Sequence, residues 1–321
     1  MLRIRLARLA MALAALLCLP AQAAFPEGPV RIIVPWAPGG SADLLARLLA
    51  DAFRQHYNQA FVVENRSGAS GNIGSDLVAK AKPDGQTLLL GVMSTHVLNP
   101  LMMENMPFDG VDDFTPIASV GVSTTVMVVH PSVAPGGLKE FLDWARTQPN
   151  RIAYGTSGEG SPTHLGTALL AQRAGLSLVH VPYRGGGPAM ADLLGGQIQL
   201  MLTSANIALP HVHAGKLRLL AVSEPKRAAI LPDVPAINEI LPGYDYSLYL
   251  GLFGPRGLSR ELTLQINADV NRTMTRPDVG QKLAAMGIEA TNQGPEALAR
   301  ILRAEREKWT PVVKAIGAAI R

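Results

Sequence analysis

Short apolar runs alternate along the chain with longer segments in which apolar residues recur every three or four positions. The run Val30–Val34 ends at Pro35 and leads, through two glycines, to the helical spacing of Ala42–Gln55. Short bounded runs predict buried strands, and the longer spacing predicts amphipathic helices. The strand–turn–helix pattern recurs after the runs Phe61–Glu64, Thr87–Val92, Thr125–His130, Arg151–Ser157, Leu178–Tyr183 and Gln199–Thr203. Such alternation predicts an α/β protein with mostly parallel sheets flanked by helices.

Two sheets explain the pattern better than one. The pattern restarts near Thr125, after the irregular segment Phe108–Gly121, and it changes again in the segment Leu231–Pro255, which is rich in Pro, Gly and Tyr. We therefore predict a first lobe made of residues 24–123 plus 248–321 and a second lobe made of residues 124–247. Two crossings between lobes are typical of a hinged binder with a ligand cleft between the lobes.

The first 23 residues have the pattern of a signal peptide. Three arginines precede the apolar run Leu9–Leu19, and Ala21-Gln22-Ala23 follows it. This pattern predicts export and cleavage after Ala23 or Ala24, and the run is short for a membrane span. The single cysteine, Cys18, lies inside this segment, so the mature chain has no thiol for a disulfide, a metal or a nucleophile.

Composition argues against nucleic acid as a partner. Loss of the signal removes three arginines and no acid, so the formal net charge falls from +4 to +1. Aromatic residues make up only 5% of the chain, and no long basic run follows the signal. Both features disfavour nucleic-acid binding.

Four predicted helices begin in turns that are rich in glycine or carry a capping residue. PGGSAD places Ser41 at an N-cap, GEGSPT places Ser161 at an N-cap with Pro162 behind it, YRGGGPAM pairs Gly187 with Pro188, and GASGNIG contains small residues. Gly and Ser are common at such turns. Four of them with few charged side chains favour a shared pocket of backbone N–H donors that suits a carboxylate.

The sequence offers little for catalysis or for metal binding. Gly155-Thr156-Ser157-Gly158-Glu159 misses the G-x-S-x-G elbow at its fifth position, and no P-loop or dinucleotide fingerprint is present. His211 and His213 have no cysteine or nearby carboxylate to complete a metal site. His96 and His164 could act as acid or base, or could donate a hydrogen bond to a ligand or a loop. Without a nucleophile or a metal we favour the second role, and we expect no catalytic residue, metal or cofactor.

The order and spacing of many short segments resemble one family. They include PVRIIVPWAPGGSADLLARLLA, FVVENRSGASGNIGSDLVAKAKPDGQTLLLG, STHVLNPLM, DDFTPIA, YGTSGEGSPTHLG, HVPYRGGGPAMADLLGGQIQLM, LPHVHAGKLRLLAVSEPKR, LPDVPAINEI and EREKW. From about Phe25 to the C-terminus the chain resembles the Bug receptors, the TctC-like solute-binding subunits of tripartite tricarboxylate transporters. The resemblance implies a two-lobed, periplasmic-binding-protein-like fold that closes on a small organic acid. It also implies a monomer that delivers this acid to a large and a small integral membrane subunit.

The resemblance also implies which residues meet the ligand. Backbone amides in the family hold one carboxylate, and side chains of both lobes tune the rest. Carried onto this chain, the site consists of Pro38, Gly39, Gly40, Ser41, Asp43, Gly71, Asn72, Ser94, Thr95 and His96 on the first lobe and Ser157, Ser161, Thr163, His164, Tyr183, Arg184 and Thr203 on the second.

One position departs from many relatives. They carry an aspartate after the strand that here ends in Leu202, whereas this chain has Thr203. Loss of that carboxylate disfavours an amino-acid ligand, and we expect a non-amino organic acid. Two other functions stay open at this point: a sensor that docks on a membrane kinase, and a secreted hydrolase that uses Ser157 or Ser161 with His164.

Overall fold

The protein is described by a computed structural model that covers residues 25–133 and 136–320. The predicted signal peptide lies outside the described residues and stays a prediction. Among the described residues, no helix is both long enough and apolar enough to span a bilayer.

The first sheet has six strands. They are β1 (Val30–Val34), β2 (Phe61–Asn65), β3 (Thr87–Val92), β4 (Phe114–Ser123), β10 (Leu248–Pro255) and β11 (Ile288–Gln293), in the spatial order β11-β4-β10-β3-β1-β2. β1 runs parallel to β2 and β3, whereas β10 runs antiparallel to β3 and β4, and β11 antiparallel to β4.

The second sheet has five strands. They are β5 (Thr125–Val129), β6 (Ala153–Thr156), β7 (Val179–Pro182), β8 (Leu200–Ser204) and β9 (Arg218–Val222), in the order β7-β6-β8-β5-β9. β6 is parallel to β7 and β8, and β5 is antiparallel to β8 and β9. The two-sheet α/β fold is therefore as predicted, but the sheets are mixed and not mostly parallel: among the described strands four pairings are parallel and five are antiparallel.

Helices cover both sheets. Those packed with the first sheet are α1 (Ser41–Tyr57), α2 (Asn72–Ala79), α3 (Asn99–Met102), α9 (Arg260–Met274), α10 (Pro277–Ala285) and α11 (Pro295–Ile320). Those of the second are α4 (Leu138–Arg146), α5 (Pro162–Ala174), α6 (Gly186–Leu194), α7 (Ala205–His213) and α8 (Ile237–Ile240). A 3₁₀ turn, Ala69–Gly71, and a π-helical segment, Ser94–Leu98, also belong to the first sheet's side. We call each sheet with its helices the first lobe and the second lobe.

The helix α1 shows why these sequences form these elements. Leu45, Leu49 and Phe53 recur every fourth residue and are fully buried. Each such side chain contributes about 1.5–3 kcal/mol when it leaves water. The helix ends where Asn58 takes the left-handed conformation (φ 51°), which asparagine tolerates better than most residues.

The segment Phe108–Gly121, which the sequence presents as irregular, contains a long strand. β4 spans Phe114–Ser123 and lies between β10 and β11. Its partner β10 follows more than a hundred residues later, so no local sequence pattern predicts the pairing. β10 also lies in the segment rich in Pro, Gly and Tyr.

The chain changes sheet between Ser123 and Thr125 and returns just before Leu248. Backbone hydrogen bonds join the passing segments: Ser223 N–H donates to the Thr125 carbonyl (2.9 Å), and Tyr246 N–H donates to the Ser223 carbonyl (3.0 Å). α11 packs against both β4 and α5, so it touches both lobes. The lobes thus meet at a narrow region of passing strands and one long helix.

Candidate functional site

A cavity of about 480 Å³ lies between the lobes. Its volume is in the range of small-molecule pockets. The first lobe lines it with Trp36, Ala37, Pro38, Gly39, Gly40, Ser41, Ala42, Val92, Ser94, Leu248 and Leu250. The second lobe and the crossing segments line it with Thr125, Ser157, Pro162, Thr163, Gly185, Gly186, Gly187, Met201, Thr203, Ser204, Ile207 and Tyr246.

The helix α1 begins at the wall of this cavity without a side-chain cap. Its N-cap is Gly40, and Ser41 is the first helical residue, which corrects the expected N-cap at Ser41. Gly39 has φ +91°, a conformation that favours glycine. Because no side chain of the described residues caps the first turn of α1, its N–H donors are available to an anion.

Asp43 holds the loop before α1 in place. Its carboxylate accepts from Gly39 N–H (3.0 Å), from Arg47 and from the Asn65 amide (3.0 Å). Burial by itself would raise the pKa of Asp43, but these hydrogen bonds together lower it below its usual value. Asp43 is absent from the cavity lining, and its contacts fit a role in shaping the loop.

Ser41 connects the two lobes. Its hydroxyl accepts from Ser123 Oγ (3.0 Å) and reaches Asn206 Oδ1 on α7 (3.5 Å). Closing or opening of the cleft would therefore change the surroundings of this hydroxyl.

The helix α5 begins differently. Ser161 is its N-cap and accepts from His164 N–H (3.4 Å), and Pro162 is the first helical residue, as the sequence predicted. Ser157 N–H donates to Thr163 Oγ1 (3.4 Å), which closes the loop further. The N-terminus of α5 thus has its own side-chain acceptor, although Ser157, Pro162 and Thr163 line the cavity.

Two more helices begin at the cavity without a side-chain cap. α6 has Gly185 as its N-cap, with φ +114°, and α7 has Ser204. The expected start at Gly187 and Pro188 is therefore two residues late, because the run of three glycines lets the helix begin at Gly186.

His96 lies in the core of the first lobe and does not line the cavity. Its ring stacks on Phe253 with centroids 3.9 Å apart, and its Nδ1 is 2.6 Å from the Gly110 carbonyl. Burial lowers the pKa of His96 to about 4. The ring is a neutral packing group, and the expectation that it meets a ligand finds no support in its position.

His164 stacks on His180, with centroids 3.8 Å apart and ring planes within 9° of parallel. Its Nδ1 accepts from Gly160 N–H (3.1 Å), and His180 Nε2 is 2.7 Å from Thr156 Oγ1. Burial lowers the pKa of both rings, that of His180 to about 4. Among the described residues neither ring is hydrogen-bonded to a serine hydroxyl, which a serine hydrolase would need.

Glu159, His164 and His180 form a group whose ligand atoms lie within 4.8 Å of one another. Gly160 N–H and Thr156 Oγ1 already occupy one nitrogen of each ring. Two parallel stacked rings also direct their in-plane lone pairs along separate planes, whereas a shared ion needs them to converge. The group would have to rearrange to hold a metal ion.

Tyr183 turns its hydroxyl to its own lobe and donates to Asp192 Oδ2 (2.7 Å). Burial and this hydrogen bond raise the pKa of Tyr183 to about 12. Asn72 accepts from the Asn99 amide (2.7 Å) and is buried behind the loop of Gly71. These side chains support loops near the cavity.

The structure therefore brings together part of the expected set. The expected residues that line the cavity are Pro38, Gly39, Gly40, Ser41, Ser94, Ser157, Thr163 and Thr203. The expected residues outside the lining are Asp43, Gly71, Asn72, Thr95, His96, Ser161, His164, Tyr183 and Arg184.

The residues that sequence reasoning missed are mostly apolar. Trp36 follows β1, Val92 ends β3, and Leu248 and Leu250 begin β10. The only feature of the sequence that could have identified these lining residues is their position at the end of a strand. Core residues also occupy such positions. No Lys, Arg, His, Asp or Glu occurs in the lining within the described ranges. The cavity offers backbone donors, hydroxyls and hydrocarbon surface, which suit binding.

Comparison with known proteins agrees with this geometry. The profile of TctC, the tripartite tricarboxylate transporter family receptor, matches residues 45–318. BugT of Bordetella pertussis is 32% identical over 299 residues, which cover 92% of each chain. The solved structure of R. palustris Rpa4515 with adipate is 34% identical, with a TM-score of 0.85 over 91% of this chain and 98% of that one. MatC from Rhodopseudomonas palustris with bound malate is 30% identical, with a TM-score of 0.80 over 90% of this chain and 100% of that one.

Proposed function

The chain belongs to the tripartite tricarboxylate transporter receptor family, and on that premise we propose that its cavity captures a small organic carboxylate. The observation that carries the proposal is the uncapped start of α1 at the cavity wall. The free N–H groups behind Gly39 and Gly40 and the positive end of the helix dipole together favour a negative group. The solved relatives that carry adipate and malate support this ligand class.

Capture by a cleft requires contacts from both lobes. A ligand shifts the lobes toward closure only if it binds the closed arrangement more tightly. The carboxylate would lie on α1 in the first lobe, while α6 contributes its uncapped start from the second. The first N–H of α7, that of Ala205, already donates to the Thr124 carbonyl (2.8 Å). A dissociation constant of roughly micromolar, or about −8 kcal/mol, is expected.

Membership of this family also supports a proposal on where the protein acts and on which membrane proteins it meets. We propose that it is exported by its N-terminal signal, acts in the periplasm as a monomer, and delivers its acid to a large and a small membrane subunit. The neutral stacked rings of His164 and His180 and the uncharged lining fit binding without turnover.

A thermal-shift screen of the mature protein tests the ligand class. Adipate, malate, succinate and benzoate are compared with adipamide, dimethyl malate, succinamide and benzamide. A bound ligand raises the melting temperature in proportion to the logarithm of its concentration over its dissociation constant. We expect stabilisation by at least one acid and none by its neutral partner. Equal stabilisation by acid and amide, or stabilisation only by neutral compounds, would contradict the proposal.

Chemical unfolding and refolding before a repeated screen provides the control. A ligand retained from expression would mask every acid, and refolding removes it. Absence of any acid response in refolded protein with a cooperative melt would also contradict the proposal.

A further inference from the structure

Two residues of the cavity lining carry buried polar atoms without a hydrogen-bond partner. They are the hydroxyl oxygen of Ser94 and the indole nitrogen of Trp36. Other buried polar side-chain atoms in the described part of the chain also lack a partner, but none of those belongs to the lining. A polar group that leaves water without gaining a partner destabilises the folded state, and native structures contain few of them. The cavity wall therefore holds two groups that a bound molecule could satisfy.

Both residues lie at the same edge of the first sheet. β1 and β3 are adjacent and parallel, Trp36 follows the end of β1 by two residues, and Ser94 follows the end of β3 by two residues. Ligands of α/β sheets bind at this carboxyl edge. Ser94 also begins the π-helical segment Ser94–Leu98, a rare geometry that is frequent at functional sites.

The surroundings fix both side chains and offer them no acceptor. The Trp36 carbonyl accepts from the Asn65 amide (3.0 Å), which holds the backbone at the indole. A Cβ placed on Gly71 would lie 3.2 Å from Trp36 Cζ2 and 2.6 Å from Thr95 Cγ2, so glycine lets these two side chains approach each other. The Thr95 hydroxyl donates to the Val92 carbonyl (3.0 Å), whereas the hydroxyl of its neighbour Ser94 has no such bond.

The chemistry of the two groups limits what they can receive. An indole N–H only donates, and a serine hydroxyl donates or accepts, so an oxygen that can accept a hydrogen bond suits both. The lining contains no Lys, Arg or His among the residues that the structure describes. A second carboxylate buried against these two groups would therefore lack a cation, and an uncharged oxygen avoids that penalty.

We infer that Trp36 and Ser94 form a subsite for an uncharged oxygen, so the captured acid is a hydroxy acid or an oxo acid. This inference rests on the proposed function and specifies its substrate class. The carboxylate meets the start of α1, and the hydroxyl or oxo oxygen meets the indole N–H and the Ser94 hydroxyl. The two residues thus determine specificity.

Isothermal titration with matched acids tests the substrate class. L-Malate and D-malate differ from succinate by one hydroxyl, and 2-oxoglutarate differs from glutarate by one oxo group. We expect at least one oxygenated acid to bind about tenfold more tightly than its parent acid. If succinate and glutarate bind as tightly as all of their oxygenated partners, the inference is overturned and the carboxylate proposal stays intact.

Two variants assign the preference to the two residues. Trp36→Phe removes the indole N–H and keeps an aromatic ring, and Ser94→Ala removes only the hydroxyl. Each should lower the affinity ratio of oxygenated to parent acid by about fivefold and leave the parent acid within about twofold of wild type. Ser75→Ala is the matched control, because the Ser75 hydroxyl is also buried without a partner but lies outside the lining. Its ratio should not change.

Melting of the ligand-free variants separates recognition from structure. Because the Ser94 hydroxyl has no partner, Ser94→Ala should melt at the same temperature as wild type or higher. Unchanged affinity ratios in both Trp36→Phe and Ser94→Ala, or equal losses for oxygenated and parent acids, would overturn the subsite. If no acid binds the wild-type protein, the proposed function itself fails, so the two failures are distinct.

Discussion

The helices α1 and α5 begin in similar loops at the same cavity, yet their first N–H groups meet different partners. α5 is capped by the Ser161 hydroxyl, which accepts from His164 N–H. α1 has glycine at its N-cap and leaves its first donors without a side-chain acceptor. Glycine at an N-cap costs only a few tenths of a kcal/mol relative to a side-chain cap, so the start of α1 stays open at little cost in stability. This contrast supports our proposal that the start of α1 serves a ligand, whereas the start of α5 serves the stability of its helix.

The largest expected effect comes from giving α1 the cap that it lacks. Gly40 has φ −78° and nothing within 4 Å of a Cβ placed on it, so a side chain fits there. In Gly40→Asp the new carboxylate should accept from the first turn of α1 and repel a bound acid. We expect adipate affinity to fall by roughly 100-fold in isothermal titration, with an unchanged or higher melting temperature.

Gly40→Ala is the matched control because it fills the same space without an acceptor. Its adipate affinity should stay within about threefold of wild type. Similar losses in both variants would mean that space at Gly40, and not the free donors, determines binding.

Removing the cap from α5 should lower stability and leave ligand affinity unchanged, the opposite of the effect expected for Gly40→Asp. Ser161→Ala deprives His164 N–H of its acceptor, and the free energy of unfolding should fall by about 1 kcal/mol. The affinity for adipate should stay within about twofold of wild type, because the Ser161 hydroxyl is hydrogen-bonded to its own helix. Urea unfolding and titration measure the two quantities. A large loss of affinity without loss of stability would place Ser161 on the ligand and break the contrast.

The stacked rings near α5 predict a pH-dependent stability. The pKa of His180 is about 4 in the folded protein and near 6.5 in the unfolded chain. The unfolded state therefore binds more protons between these values, and stability falls as the pH decreases from about 6.5 toward 4.

His180→Gln should remove its share of this loss, roughly 1 kcal/mol after allowance for solvent screening. Melting curves from pH 7 to pH 4.5 measure it, with His213→Gln, at the exposed end of α7, as the control. An identical pH slope in wild type and His180→Gln would show that this pair does not titrate on unfolding.

The smallest effect is expected at Tyr183. Its hydroxyl donates to Asp192 and is absent from the cavity lining. Tyr183→Phe should change adipate affinity less than about twofold and lower stability by about 0.5 kcal/mol. A tenfold loss of adipate affinity in Tyr183→Phe would show that this hydroxyl contacts the ligand.

Local patterns predicted the elements whose partners are near in sequence. The step from β1 to α1 and the Ser161–Pro162 start of α5 follow from residues within one loop. β4 was missed because its partners β10 and β11 lie far along the chain, because it contains Pro116, and because the turn-like pair Asp109-Gly110 precedes it. Strand pairing over such distances leaves no local signal.

The cavity lining was predictable where it consists of glycines and hydroxyl residues in turns that follow strands. The Gly39-Gly40 turn indicated that the first N–H groups of α1 have no side-chain cap. His96, next to Thr95, was expected to meet the ligand, but its ring lies against Phe253 in the core. The sequence does not distinguish Leu248 and Leu250 from core residues, because apolar side chains occur both in the core and in the cavity lining. The direction of a side chain depends on neighbours that the local sequence does not contain.

The most direct test of carboxylate capture by α1 follows the backbone amides at the starts of α1 and α5 during one titration. Deuterated, ¹⁵N-labelled mature protein is titrated with adipate, and its amide resonances are recorded by transverse-relaxation-optimised NMR. We expect downfield proton shifts at Ser41, Ala42 and Asp43, the first amides of α1, that saturate with the adipate concentration. Small shifts are expected at His164 and Leu165 in α5. Saturating shifts at the start of α5 with none at the start of α1 would contradict carboxylate capture by α1.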